Sequence, residues 1–191
     1  MVRLCFAAKA EKNSRYLREG QVDLEIGVVG EMGPEIRLQA LFRDRFIGLV
    51  RKGHPLEQQG KITAEQYVSF GHVITSRHGL VRGPVDEALA EAGLERKIAA
   101  VVPSFPAALA VARASDLVAL VPSSFLINRH VVDEMGITAA FCTFELPVKT
   151  RTIIVSQMWH PRVEVDPAHR WLRQMVLTVC RQQMQRFTAG C

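Results

Sequence analysis

An apolar run, Phe46–Val50, constrains the fold of this chain more than any other stretch. The run shows no alternation of polar and apolar residues, and charged side chains flank it on both sides. Such a pattern predicts a strand that is buried on both faces, as strands are in an α/β sheet. Gly53-His54-Pro55 follows and ends the strand, because proline lacks the backbone donor that a sheet ladder requires.

Other apolar runs alternate with signals for the start of a helix. Thr63 and Gln66 have the spacing of a capping box, Gly83-Pro84 places proline in a first helical turn, and Ser104 is a candidate N-cap. Strands that alternate with helices predict an α/β fold with a mostly parallel, doubly wound sheet. The predicted strands are Val2–Ala7, Val22–Val28, Ile36–Phe42, Phe46–Val50, His72–Thr75, Lys97–Val102, Leu117–Val121, Phe141–Phe144 and Thr150–Met158. The predicted helices are Glu11–Glu19, Thr63–Phe70, Gly83–Gly93, Phe105–Ala114, a short one from Ser123, and Asp166–Phe187.

Composition excludes several classes of protein. No apolar run approaches the roughly 20 residues of a membrane-spanning helix, and the sequence does not open with a signal-peptide pattern. The four cysteines form no C-x-x-C pair, so we expect reduced thiols in a cytoplasmic protein. The net charge of +5 is dispersed along the chain, which favours small anionic ligands over a nucleic-acid surface.

Sequence motifs for catalysis and cofactor binding are missing. The chain contains no G-x-G-x-x-G, Walker A, G-x-S-x-G or H-E-x-x-H sequence, and its six histidines never stand four residues apart. His78 lies in a polar loop, where a hydrogen-bonding role is a simpler interpretation than a general base. We therefore predict a protein that is not an enzyme and that holds no metal and no cofactor, although distant residues could still assemble a catalytic site.

Small polar residues follow three of the predicted strands. Thr75-Ser76, Pro103-Ser104 and Pro122-Ser123 each lie between a strand and a helix. Because the carboxyl ends of strands and the amino ends of helices converge in α/β sheets, these junctions predict a cleft for a small anion. Arg77 and Arg82 lie in one of the loops and could meet a carboxylate. Alternatively, Ser104 and Ser123 are only helix N-caps.

Four stretches resemble a known family. Leu17–Gly27 reads LREGQVDLEIG, and Phe46–Leu56 ends in GHPL. Val101–Phe105 is followed by Ala110–Pro122, which closes on LVALVP, and Trp159–Leu172 contains WHP followed by DPAHRWL. In this order, and covering nearly the whole chain, the stretches resemble the effector-binding domain of LysR-type transcriptional regulators.

The resemblance implies a type 2 periplasmic-binding-protein-like fold, with two Rossmann-like α/β lobes around an effector cleft. Lobe I would take residues 1–44 and 149–191, lobe II would take residues 45–148, and Phe46–Val50 would lead from one to the other. Effector contacts in the family come from strand-to-helix loops. Carried over to this sequence, the predicted ligand-binding residues are Ala8, Ala10, Ser76, Arg77, His78, Gly79, Leu80, Val81, Ser104 and Phe105.

The chain departs from the family pattern at its start. It lacks the winged helix-turn-helix, and the first β-α unit of lobe I is also missing, so the first lobe is expected to be truncated. DNA contact would then require a helix-turn-helix domain that is missing from this chain, which would be a fragment or a shortened reading frame.

We expect an effector-binding domain that controls transcription through a ligand-dependent change in the arrangement of a homodimer or higher homo-oligomer. Its effector would be a small organic molecule, aromatic or carboxylated. The alternatives are a stand-alone solute-binding protein for small anions and, less favoured, an α/β transferase or hydrolase. Association is expected because Val2–Ala7 would form an open sheet edge, unless the apolar face of the C-terminal helix covers it.

Overall fold

The structure, a computed structural model, describes residues 3–6, 14–30, 32–58, 60–76, 81–126 and 136–189. The strands are β1 (Glu25–Val28), β2 (Arg37–Asp44), β3 (Phe46–Arg51), β4 (Gly71–Thr75), β5 (Lys97–Val102), β6 (Val118–Pro122), β7 (Phe141–Glu145) and β8 (Ile153–Trp159). The helices are α1 (Arg15–Glu19), α2 (Ala64–Val68), α3 (Pro84–Glu91), α4 (Phe105–Arg113), α5 (Ile137–Ala140) and α6 (Pro167–Ala189). No helix in these described ranges is both long and apolar enough to cross a membrane.

The chain divides into two compact units. Unit 1 contains Met1–Asp44 and Ile153–Cys191, and unit 2 contains Arg45–Thr152. Among the described residues, unit 1 holds a three-stranded sheet in the order β1-β8-β2, and unit 2 holds a five-stranded sheet in the order β5-β4-β6-β3-β7.

The strand predicted from the apolar run is confirmed in unit 2. β3 lies between β6 and β7, and its residues Ile47 to Val50 are buried. Phe46, at the start of the strand, is only partly buried. Gly48 lies opposite Phe144 of β7, whose ring occupies the space that a side chain at position 48 would need.

The expectation of a mostly parallel sheet is wrong. β4 pairs in parallel with β5 and β6, but β3 pairs antiparallel with β6 and β7, and both pairings in unit 1 are antiparallel. Parallel neighbours require a crossover, which α3 and α4 provide between β4, β5 and β6. β3 follows β2 after Arg45 alone, so the helix–strand alternation does not determine its direction.

Two apolar layers cover the sheet of unit 2. On one face, Leu109 and Ala112 of α4 pack against Leu49 and Val121. On the other face, α2 and α3 pack against the sheet through buried side chains, which are Val50, Leu56, Ile62, Tyr67, Val85, Leu89 and Val118. The capping box predicted at the start of α2 is confirmed, because the amide of Gln66 donates to Thr63 Oγ1 at 3.3 Å and the amide of Thr63 donates to Gln66 Oε1 at 2.8 Å.

Unit 1 has a smaller core beneath its sheet. Leu17 of α1 packs with Ile36 and Met158, and α1 is followed by Gly20, whose φ of 78° is left-handed, as is common for glycine at the end of a helix. On the opposite face of the sheet, Gln157 Nε2 of β8 donates to the carbonyl of Arg173 in α6 at 3.3 Å.

The predicted first strand, Val2–Ala7, is wrong over its described part. Residues 3–6 belong to no strand, and Phe6 is 93% exposed. A strand depends on a partner as well as on its own apolar pattern, and among the described residues β1 pairs only with β8. Within the described residues, both β1 and β2 are therefore edge strands of this sheet, and Ile26 and Val28 of β1 are exposed.

The C-terminal helix leaves part of its apolar surface uncovered. Trp171, Met175 and Val179 of α6 are exposed, whereas Leu172 and Val176 are partly buried. The apolar face of α6 therefore packs only in part against the described residues of unit 1.

Candidate functional site

A cavity of about 150 Å³ lies in unit 2, at the carboxyl ends of β4 and β6. It opens on the face of the sheet that α3 covers, because Leu120 packs with the α3 side chains of the core. Its apolar walls are Phe46, Ile74, Val81, Pro84, Val85, Phe105 and Leu120, and its polar groups belong to Thr75, Arg82, Asp86 and Arg96.

The start of α3 forms one wall of the cavity. Proline at the first helical position needs no hydrogen-bond acceptor for its nitrogen, and the amide of Gly83 donates to Asp86 Oδ2 at 2.8 Å. Phe105, at the start of α4, forms another wall, and its ring contacts that of Phe125 edge-on with centroids 6.0 Å apart.

An ion pair borders the polar side of the cavity. Arg96 Nε and Nη2 donate to the two carboxylate oxygens of Asp86 at 2.8 and 2.9 Å. Burial acts to raise the pKa of Asp86, but the hydrogen bonds and charge of Arg96 outweigh it, so that the pKa lies below its ordinary value. Arg96 also donates from Nη1 to the hydroxyl of Tyr67 at 3.4 Å.

Tyr67, whose hydroxyl accepts from Arg96, also contacts a buried histidine, His72. His72 Nε2 donates to the carbonyl of Tyr67 at 3.0 Å, and the two rings lie with centroids 4.5 Å apart and planes tilted by 58°. Burial, and then the charge of Arg96, lower the pKa of His72 to about 4. Burial also raises the pKa of the Tyr67 hydroxyl. Both side chains are therefore neutral at pH 7.

Thr75 is one of the residues that line the cavity. It is the last residue of β4, between Ile74 and Ser76. Its Oγ1 atom is fully buried and has no hydrogen-bond partner in the part of the chain that the structure describes. A buried hydroxyl without a partner is costly, but this atom has no accessible surface, so a molecule in the cavity would not reach it in this structure.

Arg82 provides an exposed positive charge at the cavity. Its side chain is 84% exposed and lies 3.8 Å from a carboxylate oxygen of Glu95. An ion pair this exposed contributes little to stability, so the guanidinium can reorient toward a ligand. Within the described ranges, no group of three or more His, Cys, Asp or Glu side chains could hold a metal ion.

The residues predicted from the resemblance are placed only in part. Ala8, Ala10, Arg77, His78, Gly79 and Leu80 lie outside the described residues. Val81 and Phe105 line the cavity. The amide of Ser76 donates to the carbonyl of Val102 at 2.9 Å, and Ser104 Oγ accepts from the amide of Ala107 at 3.4 Å as the N-cap of α4.

Sequence reasoning missed most of the cavity wall. Phe46, Ile74 and Leu120 come from three strands that meet only in the folded sheet. The spacing of Asp86 and Arg96 in the sequence did not indicate an ion pair, because the two residues meet across the turn between α3 and β5. The one available signal was Thr75, a hydroxyl residue at the end of an apolar strand.

Comparison with known proteins identifies the family. The LysR substrate binding domain matches residues 8–181. The chain belongs to this family. It corresponds to the effector-binding domain of LysR-type transcriptional regulators, as the sequence predicted. Among its relatives is the HTH-type transcriptional activator NagR of a Ralstonia species, which is 31% identical over 83% of this chain and 50% of its own length.

Solved structures of this family share the fold. The regulatory domain of MexT, a transcriptional activator in Pseudomonas aeruginosa, superposes with a TM-score of 0.71 at 23% identity, over 88% of this chain and 79% of its own. The effector binding domain of QuiR, in complex with shikimate, gives a TM-score of 0.68 at 16% identity, over 88% and 76%. The predicted type 2 periplasmic-binding-protein-like fold is thus confirmed, and the chain spans about half the length of the curated relatives it matches.

Proposed function

We propose that this chain is the ligand-sensing part of a cytoplasmic LysR-type regulator and that it binds a small organic effector without converting it. The observation that carries the proposal is the cavity of unit 2, which lies at strand carboxyl ends, where ligands bind in open α/β sheets. We propose further that units 1 and 2 are the two regulatory lobes of the family, with their boundaries at 44/45 and 152/153.

The walls of the cavity favour an effector with an aromatic ring or a carboxylate. Phe46 and Phe105 offer aromatic surface to a ring. Arg82 offers two parallel donors to a carboxylate that lies at the rim. The QuiR domain, which has the same fold, is complexed with shikimate, and an effector of comparable size suits this proposal. Ser76 and Ser104, near the paired ends of β4 and β5, would supply further contacts.

The effector would act on an oligomer. We propose that the chain associates as a homodimer or higher homo-oligomer and that a helix-turn-helix domain outside these residues contacts DNA. The effector would shift the oligomer between arrangements only to the extent that it binds one of them more tightly.

A thermal-shift screen of small aromatic and carboxylated metabolites tests the binding role. An effector present at 100 times its Kd stabilises the folded chain by about 2.7 kcal/mol, so its unfolding midpoint should rise. Mass spectrometry of the incubated ligand should show no product. A ligand that is converted would instead assign the chain to an enzyme.

Two valine variants connect the stabilisation to the cavity. Val81 lines the cavity, whereas Val165 lies in unit 1 outside any strand or helix, and both are exposed. Val81→Asp should abolish the ligand-induced shift, and Val165→Asp should preserve it. A shift that survives in the Val81→Asp variant would place the ligand elsewhere.

A further inference from the structure

We infer that residues 3–6 of one copy of this chain add a strand to the open side of β1 in a second copy, and that the exchange is reciprocal. This pairing rests on the proposed function, because it names the surfaces through which the proposed homodimer would form. Two exposed surfaces of unit 1, the β1 edge and the segment of residues 3–6, match in side-chain pattern and in charge.

The first surface is the side of β1 that faces away from β8. Among the described residues β1 pairs only with β8, and an edge strand presents backbone donors and acceptors to another strand. Ile26 and Val28 are exposed and stand opposite Gln157 and Val155. They lie on the face of the sheet that α6 covers, because Gln157 Nε2 donates to the carbonyl of Arg173 in α6.

The C-terminal helix adds an apolar wall beside this edge. His169 of α6 donates from Nε2 to the carbonyl of Asp23 at 2.9 Å, which brings the first turn of α6 next to the start of β1. Leu172, Val176 and Val179 follow His169 at the i+3, i+7 and i+10 spacings of one helix flank. Val179 is exposed, and the other two are only partly buried. A strand added beside β1 would therefore cover apolar surface of both elements.

The second surface is the segment of residues 3–6. It belongs to no strand, and all four of its side chains are exposed. The apolar residues Leu4 and Phe6, which are 52% and 93% exposed, alternate with Arg3 and Cys5. Such alternation is typical of a strand with one apolar face, so the segment has the pattern of a strand without the partner that a strand needs.

The apolar side chains of the two surfaces match when the segment lies parallel to β1. Leu4 then stands beside Ile26, and Phe6 stands beside Val28. Because side chains alternate between the two faces of a strand, both pairs fall on the face that α6 covers. The Phe6 ring would be buried against the apolar flank of α6.

Charge favours β1 over the other edge of the same sheet. In the parallel alignment Arg3 comes level with Glu25, and opposite charges on neighbouring strands attract each other. β2, the other edge strand among the described residues, carries the exposed side chains of Arg37 and Arg43. These cations would repel Arg3.

A second copy provides the segment because residues 3–6 are unpaired in the chain that contains them. Exchange of an identical element between two protomers produces a dimer at low cost. When each segment lies on the β1 edge of the other copy, both β1 edges are covered, so association through this edge ends at two copies.

A disulfide trap in the full chain tests the pairing, because Cys5 would come level with Gly27. No atom of the described residues stands within 4 Å of a Cβ atom added at position 27, so Gly27→Cys should fold. Mild oxidation with diamide should join Cys5 of one copy to the introduced thiol of the other. A non-reducing gel should show the dimer, and mass spectrometry should identify the linked peptides.

Val165→Cys is the control for the trap, because it introduces a thiol at an exposed site of unit 1 outside any strand or helix. It should form little of this link. The link between Cys5 and position 27 within a single chain would assign the segment to its own β1 and overturn the exchange. No link at position 27, or equal linkage at positions 27 and 165, would overturn the pairing itself.

A substitution of Phe6 measures what the segment contributes to association. Phe6→Asp should leave the unfolding of the monomer unchanged, because the ring is 93% exposed in one copy. Association measured by light scattering should weaken about tenfold or more, the factor expected when one buried Phe side chain is lost. Val165→Asp adds the same charge at an exposed site and should leave association unchanged.

These outcomes are separable from a failure of the proposed function. Dimers that are equally stable in wild type and Phe6→Asp would preserve the proposed association and refute the role of residues 3–6. A ligand that is converted in the metabolite screen would refute the regulatory role, whereas the link between Cys5 and position 27 would still support the exchange.

Discussion

Arg96 and Asp86 form a two-point ion pair that joins the start of β5 to the first turn of α3. Two guanidinium nitrogens donate to the two carboxylate oxygens at 2.8 and 2.9 Å, and the amide of Gly83 donates to the same carboxylate. The pair therefore fixes the segment that forms one wall of the cavity. It also means that one partner cannot be removed without leaving the other charged and largely buried.

Removal of Arg96 should strongly destabilise the chain. Arg96→Met leaves the Asp86 carboxylate without its cation, which typically costs about 3–5 kcal/mol for a buried pair. Urea unfolding followed by circular dichroism measures the change. Arg82→Ala is the matched control, because the Arg82–Glu95 pair is highly exposed and should contribute less than about 1 kcal/mol. Equal effects of the two substitutions would contradict the structural role of the buried pair.

The stability of the chain should fall between pH 6.5 and about 4 because of His72. The unfolded histidine has its ordinary pKa of 6.5, whereas the pKa in the folded chain is about 4 because of burial and the charge of Arg96. As pH falls through this window, the unfolded state binds a proton that the folded state does not, so unfolding becomes more favourable by roughly 3 kcal/mol in total. The pKa of Asp86 is lowered from 3.8, so its contribution is lost only at lower pH.

Urea titrations at several pH values test this assignment with a variant that cannot titrate. His72→Phe removes the proton-binding site and retains a ring that can contact Tyr67. We expect this variant to be less stable than the wild type. Its free energy of unfolding should also depend less on pH, and within the window the difference between the two slopes should correspond to at most one bound proton. The same pH slope in both proteins would assign the proton to a different residue.

A side chain at position 48 should not fit. A Cβ atom built on Gly48 would overlap the ring of Phe144, which pairs with it across β3 and β7. Gly48→Ala should therefore destabilise the chain by about 1–3 kcal/mol, as overpacking does in a close-packed interior. In a Phe144→Ala background the penalty should largely disappear, because the effects of substitutions at two residues in contact are not additive.

Gly27 provides the control for this substitution. It also lies in a strand, but no atom of the described residues stands within 4 Å of the Cβ atom it would acquire. Gly27→Ala should change the free energy of unfolding by no more than about 0.5 kcal/mol, or stabilise slightly by restricting the unfolded chain. Similar losses at the two positions would show that alanine's backbone preference, rather than the Phe144 ring, determines the cost.

The features that the sequence predicted well are those with local causes. β3 required only its own apolar run, and the capping box of α2 required only Thr63 and Gln66. Pairing partners were not predictable in this way, because residues 3–6 have an apolar pattern without a strand beside them. The cavity was hidden for a similar reason. Its walls combine Phe46, Thr75 and Leu120, which are distant from one another in sequence.

The chain should associate through the open edge of β1. An edge strand exposes unpaired backbone donors and acceptors that can pair with another chain, and Val28 on this edge is 57% exposed. Light scattering across a concentration series should show dimers or larger species at about 100 μM, above the micromolar range of weak complexes. Val28→Lys should shift the chain toward the monomer, because a charged side chain on an edge opposes pairing.

Val165→Lys, at a site that is 75% exposed and outside any strand or helix, adds the same charge and should leave association unchanged. A wild-type chain that stays monomeric over the whole series would refute association, and equal responses of the two lysine variants would attribute it to net charge rather than to the β1 edge.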